Sequence, residues 1–261
     1  MTAAPGAPLV DPVPPVLAVR DGTKRFGGIV ALDHVSLEVR AGEVVALLGD
    51  NGAGKSTLIK CIAGVHQLDA GSMELDGARV RIESPRAAQA LGIETVYQDL
   101  ALFDNLDPAA NFFAGREIAG PAWLPRWLRF LDRGEMRDAT NAVLDGLRVS
   151  LPAMQLTVGL MSGGQRQAVA VARAAAFASR VVTLDEPTAA LGARESRSVL
   201  DLIVGLRDQG KAVIVISHAL DHVIVVASRA VVLRRGRVVG EEVPTRSNQS
   251  RIVSLIVGGE A

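Results

Sequence analysis

The sequence predicts an α/β protein built on a mostly parallel sheet, and three observations lead to that prediction. Apolar strand-like runs alternate with helical patterns over much of the chain, as strand–helix–strand units do. One apolar run, residues 43–49, ends in a glycine-rich turn that opens a helical pattern. The 261 residues are 49% hydrophobic and 21% charged, which allows a sizeable core.

Composition excludes several classes of protein. Lys plus Arg and Asp plus Glu are both 28, so the net charge is zero, and general nucleic-acid binding is disfavoured because it depends on basic surface. A single cysteine, Cys61, excludes a disulfide framework and a multi-cysteine metal site. The first residues lack the pattern of a secretory signal, and no apolar window is long enough to span a bilayer. We therefore expect a cytosolic chain.

The first third of the chain predicts an antiparallel β layer. Residues 1–15 hold five of the twelve prolines and indicate a disordered tail. Residues 16–20 and 35–40 alternate apolar and polar side chains, as half-buried strands do. Residues 69–72 predict a turn, and residues 73–82 a hairpin.

The remaining strands and helices predict the parallel sheet. Buried strands are expected at 43–49, 93–97, 180–185, 211–217 and 230–234, and helices at 55–64, 162–178, 193–208 and 219–228, with a short helix opened by Ser84-Pro85. Residues 99–160 break this alternation and predict a helical insertion, with helices after Asp107-Pro108 and at 133–148. A last short helix is expected near 248–257.

The glycine-rich turn fits the phosphate-binding pattern G-x-x-x-x-G-K-[ST]. Its residues are Gly49, Asp50, Asn51, Gly52, Ala53, Gly54, Lys55, Ser56 and Thr57. Such a loop turns backbone N–H groups inward, and the helix N-terminus adds the positive end of its dipole. We expect Lys55 to contact the β- and γ-phosphates, the Ser56 hydroxyl to bind Mg²⁺, and Thr57 to contact the α-phosphate.

Two carboxylates, Asp185 and Glu186, end the apolar run at 181–186. An aspartate at this place in a P-loop protein helps to hold Mg²⁺, and a neighbouring carboxylate is placed to orient or deprotonate a water molecule. The alternative is that both simply cap the next helix. Pro187 follows at once, and adjacent like charges are costly without a cation, which favours the functional interpretation.

A second anion-binding helix start is predicted at residues 161–165. Ser162 stands at the N-cap, followed by Gly163, Gly164 and Gln165, so free N–H groups face the start of the helix. One chain has no evident use for two phosphate cradles, whereas two chains packed head to tail each close the other's nucleotide.

Together these motifs make residues 17–245 resemble the nucleotide-binding subunit of an ATP-binding-cassette transporter. The resemblance implies a RecA-like P-loop NTPase fold with an antiparallel β subdomain and a helical insertion subdomain, and it implies ATP and Mg²⁺ as ligands. It divides the chain into a tail (1–15), an ATPase domain (16–245, helical subdomain about 99–160) and a C-terminal helix and tail (246–261).

The resemblance also assigns roles to single residues. Met161–Gln165 matches the LSGGQ signature, Gln98 the Q-loop glutamine that contacts Mg²⁺ and the attacking water, and Glu186 the catalytic glutamate. Phe26 and His218 match the adenine-stacking aromatic and the switch histidine. A lone phenylalanine is more often a core residue and a lone histidine a surface one, but the glycine-rich setting of Phe26 and the position of His218 after a buried strand favour the functional roles.

The chain departs from the family at Gly192, where the resemblance implies an aspartate that links the two ATP sites. Tight coupling between sites is therefore in doubt, while hydrolysis is expected to survive.

Residues 97–107 and 186–192 resemble the monosaccharide importer branch, of the ribose, xylose and fructose type. This implies an ATPase subunit acting as a homodimer at the cytoplasmic face of the inner membrane, with separate permease subunits and, indirectly, an extracytoplasmic sugar-binding protein. The alternative is a soluble or regulatory ABC ATPase that is not coupled to transport.

Aromatic residues cluster in the insertion, and two interpretations stay open. Phe112, Phe113 or the pair Trp123 and Trp127 could form an apolar floor that receives the membrane subunit, because aromatics are enriched at interface cores. They could equally pack the small core of the insertion itself. The stretch also holds Pro125 and Phe130.

Overall fold

The computed structural model describes residues 14–120, 123, 130–151 and 154–258. Most of the predicted N-terminal tail, together with Pro125 and Trp127, lies outside the described residues. In chain order the strands are β1 (Leu17–Phe26), β2 (Ile29–Val39), β3 (Val44–Leu48), β4 (Ala70–Leu75), β5 (Ala78–Val80), β6 (Ile93–Val96), β7 (Ala119–Gly120), β8 (Phe130–Leu131), β9 (Val181–Asp185), β10 (Ala212–Ile216), β11 (Arg229–Arg234) and β12 (Arg237–Glu242). The helices are α1 (Lys55–Ile62), α2 (Pro85–Ala90), α3 (Pro108–Phe112), α4 (Arg133–Gly146), α5 (Gly163–Phe177), α6 (Ala193–Asp208), α7 (Leu220–Val226) and α8 (Gln249–Val257).

The main sheet has the strand order β12-β11-β3-β10-β9-β6. All neighbours are parallel except β11 and β12, which form an antiparallel edge. Every residue of β3 and β10 is buried, which explains their continuous apolar sequence, since helices or a second sheet cover both faces. The carboxyl ends of β3, β10, β9 and β6 therefore meet at one edge of the sheet, where α/β proteins bind ligands.

The two faces of the sheet have different covers. On one face, Val45 and Ile214 pack in a core cluster with Leu58 of α1 and with Leu17 of the antiparallel sheet, whose order is β2-β1-β4-β5. On the other face, the cluster is built with residues of α5 and α6, among them Val171 and Ile203. The predicted α/β fold with an antiparallel β layer is confirmed.

The insertion is a small helical layer with its own core. Asp107 and Asp132 cap α3 and α4 by accepting from backbone N–H groups. Phe112 is 2% exposed and packs with Leu144, Val158 and Met161 among others.

For Phe112 and Phe113 the structure favours the interpretation in which the aromatic residues pack the insertion's own core. Phe112 belongs to the insertion's own core, and the ring of Phe113 lies edge-on to that of Phe177, with centroids 5.7 Å apart. Trp123, by contrast, is exposed.

Most predicted helices and strands begin and end within two residues of the predicted bounds, and α6 matches its predicted bounds at both ends. One prediction was wrong, and one strand of the main sheet was missed. Ala70–Ser72 belong to β4 rather than to a turn, because they pair with β1. Strand β12 was not predicted at all: it lies at the edge of the sheet and mixes charged residues with Gly240, so it lacks an apolar run. No helix among the described residues is both long and apolar enough to cross a bilayer.

Candidate functional site

The loop between β3 and α1 lies tightly against neighbouring backbone. Gly49 has φ 145°, and a Cβ there would lie 2.2 Å from the Leu233 carbonyl oxygen. Gly54 has φ 106°, and a Cβ there would lie 2.6 Å from the Ala31 carbonyl oxygen. The loop conformation therefore requires glycine at both positions.

The start of α1 is open to an anion. The first N–H groups of a helix have no intrahelical acceptor, and Gly54, the N-cap, has no side chain to accept from them. Beside them, Gly52 has φ 76° with open space where a Cβ would be. This arrangement is a backbone cradle of the kind that binds phosphate.

Lys55 is 6% exposed and lies under the loop. Its Nζ donates to the carbonyl oxygens of Gly49, at 2.7 Å, and Asp50, at 2.9 Å. Burial lowers the pKa of the Lys55 ammonium, and the nearby carboxylates of Glu186 and Asp185 oppose that change. The loop thus holds a cation next to the two acidic residues that end β9.

Asp185 at the end of β9 has the chemistry of a cation ligand. Burial and the neighbouring Glu186 raise the pKa of its carboxyl above the ordinary value, while a hydrogen bond from the Ser56 side chain lowers it. A serine hydroxyl and a carboxylate are the oxygen ligands that Mg²⁺ prefers, completed by substrate phosphates. Among the described residues there is no group of three or more His, Cys, Asp or Glu side chains placed for a metal ion.

Glu186 and His218 meet at the same edge of the sheet. His218 Nε2 lies 3.0 Å from Glu186 Oε1, and the backbone N–H of Glu186 donates to the Ile216 carbonyl, 3.0 Å away. Glu186 has φ 51°, an uncommon value for a residue with a side chain. Such strained residues are often found at functional sites.

Three of the predicted site residues are at least partly accessible to solvent. Gln98 is exposed, two residues after the end of β6. Asn51 is exposed at the tip of the loop, and Thr57 lies half-buried in α1. Ala53 is buried, and its carbonyl accepts from Gly236 N at 2.9 Å, which ties the loop to the β11–β12 turn.

Phe26 ends β1 and is 41% exposed. Its ring lies edge-on to that of His66, with centroids 5.1 Å apart, and Lys24 Nζ is 5.5 Å from its centre. Asp69 fixes this strand end by accepting from Lys24 Nζ at 2.8 Å and from Arg25 N at 2.6 Å. Sequence reasoning missed His66 and Asp69, because no local pattern links them to Phe26.

The signature segment, residues 161–165, begins α5 away from these groups. Ser162 and Gln165 form a capping box. Ser162, Gly164 and Gln165 line a cavity of about 920 Å³ that α6 closes on the other side. A Cβ on Gly164 would lie 2.4 Å from Glu195 Cγ, so α6 packs directly on this glycine. Within one chain, the structure therefore brings the loop, Asp185, Glu186 and His218 together, whereas the signature segment lines a different cavity, formed with α6.

Comparison with known proteins identifies the family. The family model described as ABC transporter matches residues 32–189, more than half of the chain. The fructose import ATP-binding protein FrcA of Rhizobium meliloti is 44% identical, over 94% of this chain and 95% of the relative. The xylose/arabinose import ATP-binding protein XylG of Sulfolobus acidocaldarius is also 44% identical, over 92% and 93%.

Solved structures agree on the fold. An ATP-binding cassette of an ABC transporter in its ADP conformation superimposes with a TM-score of 0.77 at 24% identity, over 94% of this chain and 99% of that one. A dimeric post-hydrolysis state of an ATP-binding cassette bound to ADP and Pi gives 0.72 at 24% identity, over 88% and 99%. The chain belongs to the ABC transporter family, as an ATP-binding domain with the P-loop NTPase fold.

Proposed function

We propose that this chain is the ATP-hydrolysing subunit of an importer for a small sugar, working as a homodimer on separate permease subunits. The observation that carries the hydrolytic part is the convergence of the phosphate-binding loop, Asp185, Glu186 and His218 at one edge of the sheet, with Glu186 and His218 3.0 Å apart. The sugar is inferred from the two relatives whose names specify fructose and xylose/arabinose import.

ATP binds with its phosphates on the loop Gly49–Thr57 and its adenine against Phe26. The exposed face of the Phe26 ring offers the stacking surface, and Asp69 holds the strand that carries it. Lys55, now on the loop carbonyls, turns its ammonium to the β- and γ-phosphates when these replace the carbonyls as acceptors.

Ser56, Asp185 and Gln98 would hold Mg²⁺ beside the phosphates. The bound ion would neutralise negative charge on the phosphates. The raised pKa of Asp185 supports this assignment, since a buried carboxylate next to Glu186 gains from a cation.

Glu186 acts as the base in hydrolysis. It accepts a proton from a water molecule whose oxygen attacks the γ-phosphorus, the bond from that phosphorus to the β–γ bridging oxygen breaks, and ADP leaves with that electron pair. His218 holds the Glu186 carboxylate in place and contacts the γ-phosphate, and Gln98 orients the water. Most of the rate enhancement comes from positioning and charge neutralisation.

Each ATP-binding site is completed by residues of the partner chain. Ser162, Gly163, Gly164 and Gln165 provide an N-terminal helix start that does not face the phosphate-binding loop of its own chain, and such a start binds anions. In a head-to-tail homodimer two equivalent sites form, and the dimeric state of the ADP- and Pi-bound cassette supports this assembly. ATP binding closes the dimer and hydrolysis reopens it.

The permease subunits dock on the helical insertion at the cytoplasmic face of the inner membrane. Phe103 and Leu160 are 55% and 75% exposed, and their segments are joined because Gly159 N donates to the Asp104 carbonyl at 2.9 Å. An exposed apolar pair on neighbouring segments suits the core of an interface. An extracytoplasmic sugar-binding protein delivers the sugar and does not contact this chain.

Two measurements test the proposal. Steady-state hydrolysis of Mg-ATP is compared for the wild type, Glu186→Gln and Glu83→Gln, whose exposed carboxylate pairs with Arg81. We expect Glu186→Gln to lose activity by about 100-fold or more while forming an ATP-dependent dimer in size-exclusion chromatography, and Glu83→Gln to match the wild type. A wild-type chain that binds ATP without turnover contradicts the proposal.

The second measurement is uptake of labelled fructose, xylose and ribose by cells lacking this gene. Restoration by the wild type but not by Glu186→Gln supports the importer. Unchanged uptake of all three sugars in the deletion strain, with hydrolysis intact, favours an ATPase that is not coupled to sugar transport.

A further inference from the structure

The backbone just after Gln98 adopts a conformation that side chains disfavour. Leu100 has φ 30° and Ala101 has φ 46°, so two consecutive residues with a Cβ lie in or near the left-handed region. Within the loop, Asp99 accepts from Ala101 N at 3.0 Å. A segment of this kind persists only where surrounding contacts hold it.

Arg173 supplies such contacts from α5. Its Nη1 donates to the Ala101 carbonyl at 2.9 Å and its Nη2 to the Leu100 carbonyl at 3.1 Å. The planar guanidinium thereby directs two donors at two adjacent carbonyls, which a lysine ammonium does with less geometric precision. These carbonyls lie two and three residues after Gln98.

Charged groups of two other segments lie around Arg173. Glu94 of β6 pairs with Arg116, and the Arg116 guanidinium lies 4.3 Å from the centre of the Phe177 ring at the end of α5. Burial lowers the pKa of Arg173, Glu94 raises it, and Arg116 lowers it. The end of α5 is thus joined both to β6 and to the loop that follows it.

Helix α5 has the signature segment at its other end. Gly163 opens the helix, and Arg173 lies ten residues later, about 15 Å along the axis at 1.5 Å per residue. One rigid helix therefore connects the segment that faces a partner's nucleotide with the loop that carries Gln98.

We propose that Arg173 is a positioning residue that transmits the position of α5 to Gln98. When Ser162–Gln165 engage the partner's nucleotide, any shift of α5 moves the guanidinium and with it the Leu100 and Ala101 carbonyls, so Gln98 reaches its working position as the dimer closes. This inference rests on the proposed function of Gln98 and of the signature segment.

The test compares Arg173→Met, which keeps an unbranched apolar stem, with Arg173→Lys and with Arg180→Met as a matched control. Arg180 follows α5 and makes an exposed ion pair with Asp76. Hydrogen exchange of the amides of residues 97–106 reports the loop directly, and kcat and KM for Mg-ATP report the reaction.

For Arg173→Met we expect at least about ten-fold faster exchange at 97–106 and a kcat about ten-fold or more below the wild type, since small misplacements of positioning groups are costly in rate. KM should stay within about two-fold, because the phosphate-binding loop is untouched. Arg173→Lys should fall between, and Arg180→Met should match the wild type. If Arg173→Met does not fold, the test uses Arg173→Lys alone, which should show faster exchange at 97–106 and a lower kcat than the wild type.

Unchanged exchange at 97–106 in Arg173→Met or Arg173→Lys overturns the proposal, as does faster exchange with unchanged kcat. The hydrogen-exchange measurement does not depend on the proposed function. If the wild type fails to hydrolyse ATP, faster exchange in the variants still shows that Arg173 holds the loop, and the importer proposal is what fails.

Discussion

His218 Nε2 lies 3.0 Å from Glu186 Oε1, although the two residues follow different strands. Strands β9 and β10 are parallel neighbours, and Asp185 pairs with Ile216 in their register. The residues that follow each strand therefore leave the sheet side by side. Contact between the two side chains is thus a consequence of strand order and register, and it makes the pair one unit.

The effects of substituting the two residues should not be additive. We expect His218→Ala to lower kcat by about 10- to 100-fold and Glu186→Gln by more, while the double variant is no slower than Glu186→Gln, because residues that act as a unit lose their contribution together. Steady-state hydrolysis of Mg-ATP measures all three. As a control, His218→Ala combined with the distant Glu83→Gln should equal His218→Ala alone. If the losses of kcat from His218→Ala and Glu186→Gln instead multiply in the variant that carries both, the two residues have independent roles.

Asp185→Asn should stabilise the nucleotide-free protein while abolishing hydrolysis. Its raised pKa means that the folded state binds this proton more tightly than the unfolded chain, so ionisation costs stability at neutral pH and the cost vanishes below the ordinary value of 3.8. At pH 7.5 we expect the thermal midpoint of Asp185→Asn to be a few degrees higher than that of the wild type, since each kcal/mol of stability raises the midpoint of a domain of this size by about 2–4 °C. At pH 4 the increase should be smaller.

The exposed Asp138 provides the control, since Asp138→Asn should leave the midpoint unchanged at both pH values. Calorimetry without nucleotide measures the midpoints. A lower midpoint for Asp185→Asn at pH 7.5 would mean that the ionised carboxylate stabilises the fold through the Ser56 hydrogen bond more than burial destabilises it.

Replacing Gly192 by aspartate should impair this protein rather than improve it. A Cβ at Gly192 would lie 2.6 Å from Glu195 Oε2, so the new carboxylate would displace that of Glu195, whose stem packs on Gly164 of the signature segment. We expect Gly192→Asp to lower kcat, while the thermal midpoint changes little, because an aspartate at the N-cap of α6 can accept from the first N–H groups of the helix and offset the displacement of Glu195. Combining it with Glu195→Ala should recover much of the loss.

Two variants separate charge from bulk at this position. Gly192→Asn adds the same volume without the charge, so it should be milder than Gly192→Asp if repulsion between the carboxylates dominates. Gly205→Ala, in the same helix α6 with open space at its Cβ, should be neutral or stabilising. A Gly192→Asp variant that is more stable and faster than the wild type, with Glu195 intact, would show that this space is available.

Features that depend on a local pattern could be predicted from the sequence. The phosphate-binding loop, the buried strands β3, β9 and β10, and helix α6 each follow from a continuous motif or period. The sequence also predicted that the phosphate-binding loop, Asp185, Glu186 and His218 lie together, because parallel strands place their carboxyl ends at one edge of the sheet. The roles assigned to individual site residues stay predictions until the variants above are measured.

What the sequence did not reveal depends on contacts between distant segments. His66 packs on Phe26 and Arg173 holds residues 100 and 101, and neither has a local signature. Asn111 is fully buried and donates to three carbonyls, those of Phe103, Leu106 and Asp107. Asparagine is ordinarily a surface residue, so the structural role of Asn111 became visible only with the fold.

The single cysteine provides a probe of nucleotide binding. Cys61 lies in α1, directly after the phosphate-binding loop, and is fully buried. Burial raises the pKa of its thiol to about 11, so the reactive thiolate is scarce at neutral pH as well as inaccessible. We expect maleimide labelling of the native chain at pH 7.5 to be slow and limited by opening of the structure.

Mg-ATP should slow this labelling further. A ligand present at about 100 times its Kd stabilises the folded state by about 2.7 kcal/mol, which is about a 100-fold lower population of the open form, and labelling through that form should slow in proportion. The protein unfolded in guanidinium gives the labelling rate of the freely accessible thiol. In Lys55→Ala, which removes the buried ammonium of the loop, Mg-ATP should slow the labelling of Cys61 only a little. Rapid stoichiometric labelling in native buffer, or equal protection of Lys55→Ala, would contradict the burial of Cys61 or the role of Lys55 respectively.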